Sequence, residues 1–254
     1  MAAQLSGRHA IVTGAGSGVG AAIALALADA GASVTIVGRR LAALEEVARA
    51  HVRLSPAVAD VTDAENLRQV ISGAVATSGP VAIVVANAGA AESAPFAKTT
   101  PELFRATLEV NLTGVFNTFQ AGLAGMARGA PGRLIAIAST AALKGYPYVS
   151  AYCAAKHGVV GLVRSLALEL ATTQTTVNAI CPGYTETPML ERSLDNIVAR
   201  TGRSRAEAET MLKAGNPQNR FIQPREIAET VVWLCSEAAA SVTGQAISIS
   251  GGEI

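Results

Sequence analysis

Short runs of apolar, largely β-branched residues alternate along this chain with longer stretches rich in Ala and Leu. The runs predict strands at His9–Thr13, Ser33–Val37, Ala57–Ala59, Val81–Ala86, Arg133–Ser139, Thr176–Cys181 and Ala246–Ser250. Several are apolar throughout, without the in–out alternation of a strand with one wet face, as expected where both faces of a sheet are covered. The intervening segments carry helical periodicity. Ala21–Ala30 is one, and Leu41–Ala50 places Glu45 and Glu46 away from Leu44 and Val47. Strand and helix in turn predict an α/β fold: a doubly wound, seven-stranded parallel sheet with helices on both faces. No linker or repeat divides the chain, so residues 1–254 read as one domain. From Glu186 to Arg220 the chain becomes polar and charged. That stretch predicts one or two helices standing off the core as a lid over a cleft.

Composition narrows the classes. Half of the 254 residues are hydrophobic and 15% are charged, enough apolar material to exclude a disordered chain. A net charge of +1 with no basic stripe gives a nucleic-acid partner no electrostatic support. The three cysteines, Cys153, Cys181 and Cys235, lack metal-ligand spacing and read as free thiols in a reducing compartment. Met1–Gly7 lacks the build of a signal peptide, and no apolar stretch is long enough for a bilayer. The expectation is a cytoplasmic protein with neither metal nor membrane partner.

Two places carry candidate chemistry. The first strand runs into Thr13-Gly14-Ala15-Gly16-Ser17-Gly18-Val19-Gly20, and a helix follows. Glycines there let the backbone turn sharply and approach a ligand, and the helix aims its free N–H groups at a pyrophosphate. The second strand ends Val37-Gly38-Arg39-Arg40, with Gly38 where an acid would bind the adenosine ribose of NAD. A guanidinium at Arg39 instead suits a 2′-phosphate, which favours NADP and leaves NAD as the alternative.

The second place begins at Ser139, at the end of a strand. Thirteen residues later, Tyr152 and Lys156 stand four apart at the start of an apolar helix and share a face. A phenol with a pKa near about 10 is a poor base at neutral pH. A neighbouring ammonium lowers that value. The Ser139 hydroxyl can hold a substrate oxygen beside the phenol, because ligands of open α/β sheets bind outside the strand ends.

With Asp60-Val61, Asn87-Ala88-Gly89, Asn111 and Pro182-Gly183, these motifs closely resemble the short-chain dehydrogenase/reductase family, in its compact subgroup, along essentially the whole chain. The resemblance implies a Rossmann-type fold and hydride transfer between a nicotinamide cofactor and a secondary alcohol or ketone, without metal. It implies that Tyr152 is the general acid/base and that Ser139 orients the substrate oxygen. Lys156 lowers the tyrosine pKa and holds the nicotinamide ribose, while Asn111 holds a water in a proton relay. It places Gly14, Ser17, Gly18, Val19 and Gly20 at the pyrophosphate, Asp60 and Val61 at the adenine, and Asn87 and Gly89 along the adenosine side. Pro182, Gly183, Thr185 and Thr187 then line the nicotinamide. NADP-preferring members often carry a Lys or Arg where this chain has Ser17, which leaves Arg39, with Arg40, to meet the phosphate. A homotetramer is also a family expectation.

Tyr146, Tyr148, Tyr184 and Met189 flank this site as candidate substrate contacts or packing residues, whereas His9, His51, His157 and Cys153 read as structural. The polar insertion and Asn219-Arg220-Phe221 resemble members acting on 3-ketoacyl or 3-hydroxyacyl thioesters, with Arg220 available to a coenzyme A or carrier-protein phosphate. The alternative substrates are small non-thioester ketones and alcohols: sugars, steroids or xenobiotics. A non-catalytic nucleotide-binding regulator would lack Ser139, Tyr152 or Lys156, and all three are present. The four-residue Tyr–Lys step argues against an enoyl reductase.

Overall fold

The computed structural model describes residues 4–254, so the first three residues of Met1–Gly7 and of the 1–254 domain lie outside it. Seven strands form one sheet: β1 (His9–Thr13), β2 (Ser33–Gly38), β3 (Leu54–Val58), β4 (Val81–Ala86), β5 (Gly132–Ile137), β6 (Thr175–Pro182) and β7 (Ala246–Ile249). Their order is β3-β2-β1-β4-β5-β6-β7, and every neighbouring pair is parallel. The order reverses between β1 and β4, where open α/β sheets leave a crevice at the strand ends.

Among the described residues nine α-helices accompany the strands: α1 (Gly18–Asp29), α2 (Leu41–Ala48), α3 (Ala64–Ser78), α4 (Pro101–Leu108), α5 (Gly114–Ala124), α6 (Ser150–Glu169), α7 (Pro188–Thr201), α8 (Arg205–Lys213) and α9 (Pro224–Cys235). Alternate strand residues divide between two cores. Val12, Ile83, Val85, Ile135 and Ile180 pack with Ile23 and Leu27 of α1 and Ile227 and Val231 of α9. Ile11, Val84, Leu134, Ala136 and Val177 pack with Leu67 of α3, Phe119 of α5 and Val159 of α6. Small residues permit the close approach of the layers. A methyl group at Gly122 in α5 would lie 2.4 Å from Val84 Cγ2, so that helix packs on the sheet through a bare backbone at this point.

Two strands differ from the sequence reading by more than one residue at an end. β3 covers Leu54–Val58 rather than Ala57–Ala59. It is an edge strand with Ser55 and Pro56 exposed, so burial imposes no apolar signature on it. β5 stops at Ile137 rather than at Ser139, because Ser139 caps a short 3₁₀ turn over Thr140–Ala142 and its Oγ accepts the Ala141 N–H. The polar stretch forms two helices, α7 and α8. They share a small cluster of their own: Leu190, Leu194, Ala208 and Leu212, with Phe221.

α4 and α5 are one helical rod interrupted by a π turn over Glu109–Thr113. The turn carries Asn111, whose buried side chain leaves the helix sideways. Its Nδ2 donates to Thr107 O (2.9 Å) and Ala90 O (2.8 Å), and its Oδ1 accepts the Ala90 N–H (3.2 Å). Such wide turns are rare and recur beside functional sites.

Candidate active site

The glycine turn is a cradle that side chains would fill. Gly14 (φ +67°) faces Ala88, Gly18 (φ +57°) faces Thr187, and a Cβ on Gly20 would meet Asn87 Nδ2 at 2.4 Å. Asn87 Nδ2 donates to Thr13 O (2.9 Å) and Gly14 O (3.2 Å), and Thr13 Oγ1 accepts the Asn87 N–H (3.1 Å). Asn87 therefore staples the turn to β4, a structural task absent from the sequence reading. Ser17 caps α1 in extended conformation with no side-chain cap bond, and the first turn of the helix holds no acid. The positive end of α1 opens uncompensated beside Val19, as a pyrophosphate requires. These features fit a dinucleotide.

At the end of β2, Arg39 is 75% exposed and its Nη1 lies 3.6 Å from Asp60 Oδ2. Asp60 accepts the Thr62 N–H (3.0 Å) and hydroxyl (2.8 Å), which with Arg39 holds its carboxyl below the usual range despite partial burial. Asn117 Nδ2 donates to Val61 O (2.8 Å) and fixes the next residue of that loop. Asn117 was not singled out from sequence, because a polar residue on a helix carries no sign of its partner.

Tyr152 and Lys156 lie on one face of α6, with the ammonium 5.6 Å from the phenol ring centre. Lys156 is buried and donates to Ile137 O at 2.9 Å. Gly89 closes over it, where a Cβ would stand 3.7 Å from Lys156 Nζ and 2.8 Å from Asn111 Oδ1. Burial pushes the Tyr152 phenol up to about 12, opposed by a hydrogen bond with Ser139, and pushes Lys156 down to about 8. The sequence reading expected the ammonium to lower the phenol pKa. In the protein alone desolvation outweighs that effect, because the ammonium bonds to the Ile137 carbonyl rather than to the phenol oxygen. At neutral pH the phenol keeps its proton, so the pair is set to donate one.

Beyond β6, the Gly183 N–H donates to Ile249 O (3.0 Å), Thr185 Oγ1 to Gly183 O (2.9 Å) and Thr187 Oγ1 to Thr185 O (3.1 Å). Thr187 also accepts the Leu190 N–H as the cap of α7. The two threonine hydroxyls hold the loop that follows Pro182. Asn111 is likewise spent on Ala90 and Thr107, so its side chain supports the floor under Gly89. Arg220, read from sequence as a candidate phosphate ligand, is bidentate to Glu226 at 2.7 Å through each nitrogen. His9 is buried, bonded to Thr35 and to Gly79 O, and His157 bonds back to Cys153 O. Among the described residues no group of His, Cys, Asp or Glu is gathered to hold a metal, and no helix is long and apolar enough to cross a membrane.

A family profile described as short chain dehydrogenase matches residues 8–197. The chain belongs to that family and is an oxidoreductase that interconverts a secondary alcohol and a ketone. It is 37% identical over 254 residues to a D-beta-hydroxybutyrate dehydrogenase of Cupriavidus necator, covering 98% of each chain. It is 34% identical over 200 residues to a 3-oxoacyl-[acyl-carrier-protein] reductase of Thermotoga maritima, 79% of this chain and 77% of the other. Among solved structures, a point variant of the actinorhodin polyketide ketoreductase, crystallised with NADPH, superposes with a TM-score of 0.91 at 38% identity. The match covers 100% of this chain and 99% of that one.

Proposed function

We propose that the chain is an NADPH-dependent ketoreductase whose substrate is a 3-ketoacyl thioester. The observation that carries the chemistry is the geometry of Tyr152, which stands beside Ser139 and on the same face of α6 as the buried Lys156, one helical turn away. Ser139 and Tyr152 hold the carbonyl oxygen, and the phenol delivers its proton there as the carbon is reduced. The nicotinamide supplies the hydride. Lys156 keeps positive charge beside the phenol and the nicotinamide ribose. Asn111 sustains Gly89 and Ala90 in the floor, and Gly14, Ser17, Gly18, Val19 and Gly20 form the pyrophosphate bed. Asp60 and Val61 border the adenine, Asn87 and Gly89 the adenosine side, and Pro182, Gly183, Thr185 and Thr187 the nicotinamide.

NADP is favoured over NAD because Arg39 is open to solvent and held only by a long contact to Asp60, leaving its guanidinium for a 2′-phosphate. Residues 1–254 act as one domain with α7 and α8 as its lid. Arg200 Nη1 on α7 donates to Ser93 O (3.0 Å), which closes that lid onto the loop after β4. Exposed Phe104, Phe116 and Trp233 on α4, α5 and α9 support a homotetramer, and the free thiols support a cytoplasmic setting.

The thioester reading draws on the relatives named for 3-oxoacyl carrier-protein and polyketide reduction. A second reading, a small non-thioester hydroxy acid, is favoured by the end-to-end match to the hydroxybutyrate dehydrogenase and by the engagement of Arg220 with Glu226. Turnover of acetoacetyl-CoA against acetoacetate and simple ketones separates them, and inactivity on every thioester would sink the first. Tyr152→Phe is expected to cut kcat by at least about a thousandfold on the best substrate with cofactor binding retained.

A further inference from the structure

Glu253 lies far in sequence from every motif above, yet its side chain is only 4% exposed. Its Oε1 accepts from Tyr146 OH at 2.6 Å and from Lys144 Nζ at 2.8 Å. The same ammonium sits 5.0 Å from the Tyr146 ring centre, and the Tyr146 hydroxyl also bonds Thr140 Oγ1 at 2.6 Å. The carboxylate passes between two glycines. A Cβ on Gly183 would lie 3.3 Å from Oε2, and one on Gly215 would lie 3.1 Å from Oε1. Two left-handed glycines, Gly251 (φ +65°) and Gly252 (φ +93°), turn the chain inward, and Gly251 presses on Asn216 so closely that a Cβ there would be 2.0 Å from its Oδ1.

These partners share one location. Thr140 follows Ser139, and Tyr146 lies between Ser139 and Tyr152 in the chain. Gly183 precedes Tyr184, whose ring meets that of Tyr146 edge-on at 6.4 Å. Tyr184 is close enough to Tyr152 to contribute to its raised pKa. One buried carboxylate thus ties together the loop after β5, the loop after β6 and the segment after α8. The one hydrogen of the Tyr146 hydroxyl is taken by Glu253, so it has no proton left to donate to a substrate.

We propose that Glu253 is a positioning residue for the substrate side of the cleft, setting through Lys144, Tyr146 and Tyr184 the wall that the substrate's side group meets beside Tyr152. Burying a carboxylate is unfavourable unless it is paired and hydrogen-bonded. Removing its charge while keeping its shape therefore loosens the pair it holds. The inference rests on the ketoreductase reading above, and its test is chosen to fail separately.

Glu253→Gln is expected to raise KM for acetoacetyl-CoA by about tenfold, with kcat affected less, and to alter KM for a small ketone by only about twofold. Lys144→Met is expected to give the same split, and the double variant less than the product of the two effects. A fall in Tm with the two KM values changed equally would reduce Glu253 to an anchor and overturn the proposal. Amide exchange needs no substrate. Glu253→Gln is expected to accelerate it in residues 144–148 and 183–187 while β1 and β4 stay protected, and unchanged exchange in both segments also overturns the proposal. Failure of the wild-type protein to reduce any ketone sinks the ketoreductase reading instead, and leaves the exchange result to decide this one.

Discussion

The two halves of the cleft are built from different materials. On the side proposed for the cofactor the shape is made by main chain: glycines at 14, 18 and 20, the open end of α1, and an asparagine amide spent on two carbonyls. On the side proposed for the substrate it is made by side chains reaching across long separations: Glu253 to Lys144 and Tyr146, and Arg200 to Ser93. Arg39 and Arg220 show the contrast within one residue type. The first is open with a single contact at 3.6 Å, and the second is clamped by both oxygens of Glu226. A guanidinium already holding a carboxylate bidentately has no fork left for a phosphate. A backbone cradle accommodates a ligand that never varies, while a wall of side chains changes with one substitution.

The comparison can be broken first at Gly20. Alanine there places a carbon 2.4 Å from Asn87 Nδ2 and 2.5 Å from Gly14 O. Overpacking of that kind costs about 1–3 kcal/mol, so dinucleotide affinity, measured by titration, is expected to fall by about tenfold to a hundredfold for NADPH and NADH alike. Next, Arg39→Ala is expected to weaken NADPH by about tenfold or more and to leave NADH nearly unchanged. Equal losses for the two would return the adenosine end to NAD. The matching Arg220→Ala is expected to change neither cofactor affinity nor thioester KM, lowering only Tm slightly, and a raised thioester KM would restore it as a phosphate ligand.

The seam between the halves is open to a pH test. Lys156, down at about 8, carries its charge below that pH and loses it above, while Tyr152, up at about 12, stays protonated throughout. Ketone reduction is therefore expected to fall as pH rises through about 8, approaching tenfold per unit if the charge is essential. Fold stability should respond in the opposite direction. A lysine held below its ordinary value of 10.5 costs stability when charged, and that cost is relieved between about 8 and 10.5. Activity and stability falling together above pH 8 would assign the loss to unfolding rather than to Lys156.

The division also governs what the sequence makes legible. β1 and β4 run over the expected His9–Thr13 and Val81–Ala86 because each is a continuous apolar run bounded by polar or small residues. The glycine turn and the Tyr152–Lys156 step are local, so spacing alone exposes them. β3 is misplaced because an edge strand owes little to burial, and α1 begins at Gly18, earlier than its apolar pattern, because two of its first three residues are glycine. Glu253 is invisible for a different reason. Its meaning comes from Tyr146, 107 residues away, and nothing in Ser250-Gly251-Gly252-Glu253-Ile254 announces that the carboxylate turns inward. The lowered phenol pKa was expected from helical spacing, but spacing reports which face a group is on and not how much water it has lost.

The π turn at Glu109–Thr113 makes the rod of α4 and α5 intolerant of length changes. Successive residues of a regular helix point about 100° apart, so deleting one residue between Leu108 and Gly114 would mend the helical ladder while swinging the Asn111 amide away from Ala90. The N–H and C=O of Ala90 would lose their partner and the floor beneath Gly89 its support. Substitutions can drift along the exposed face of that rod, but its residue count is fixed by a single amide.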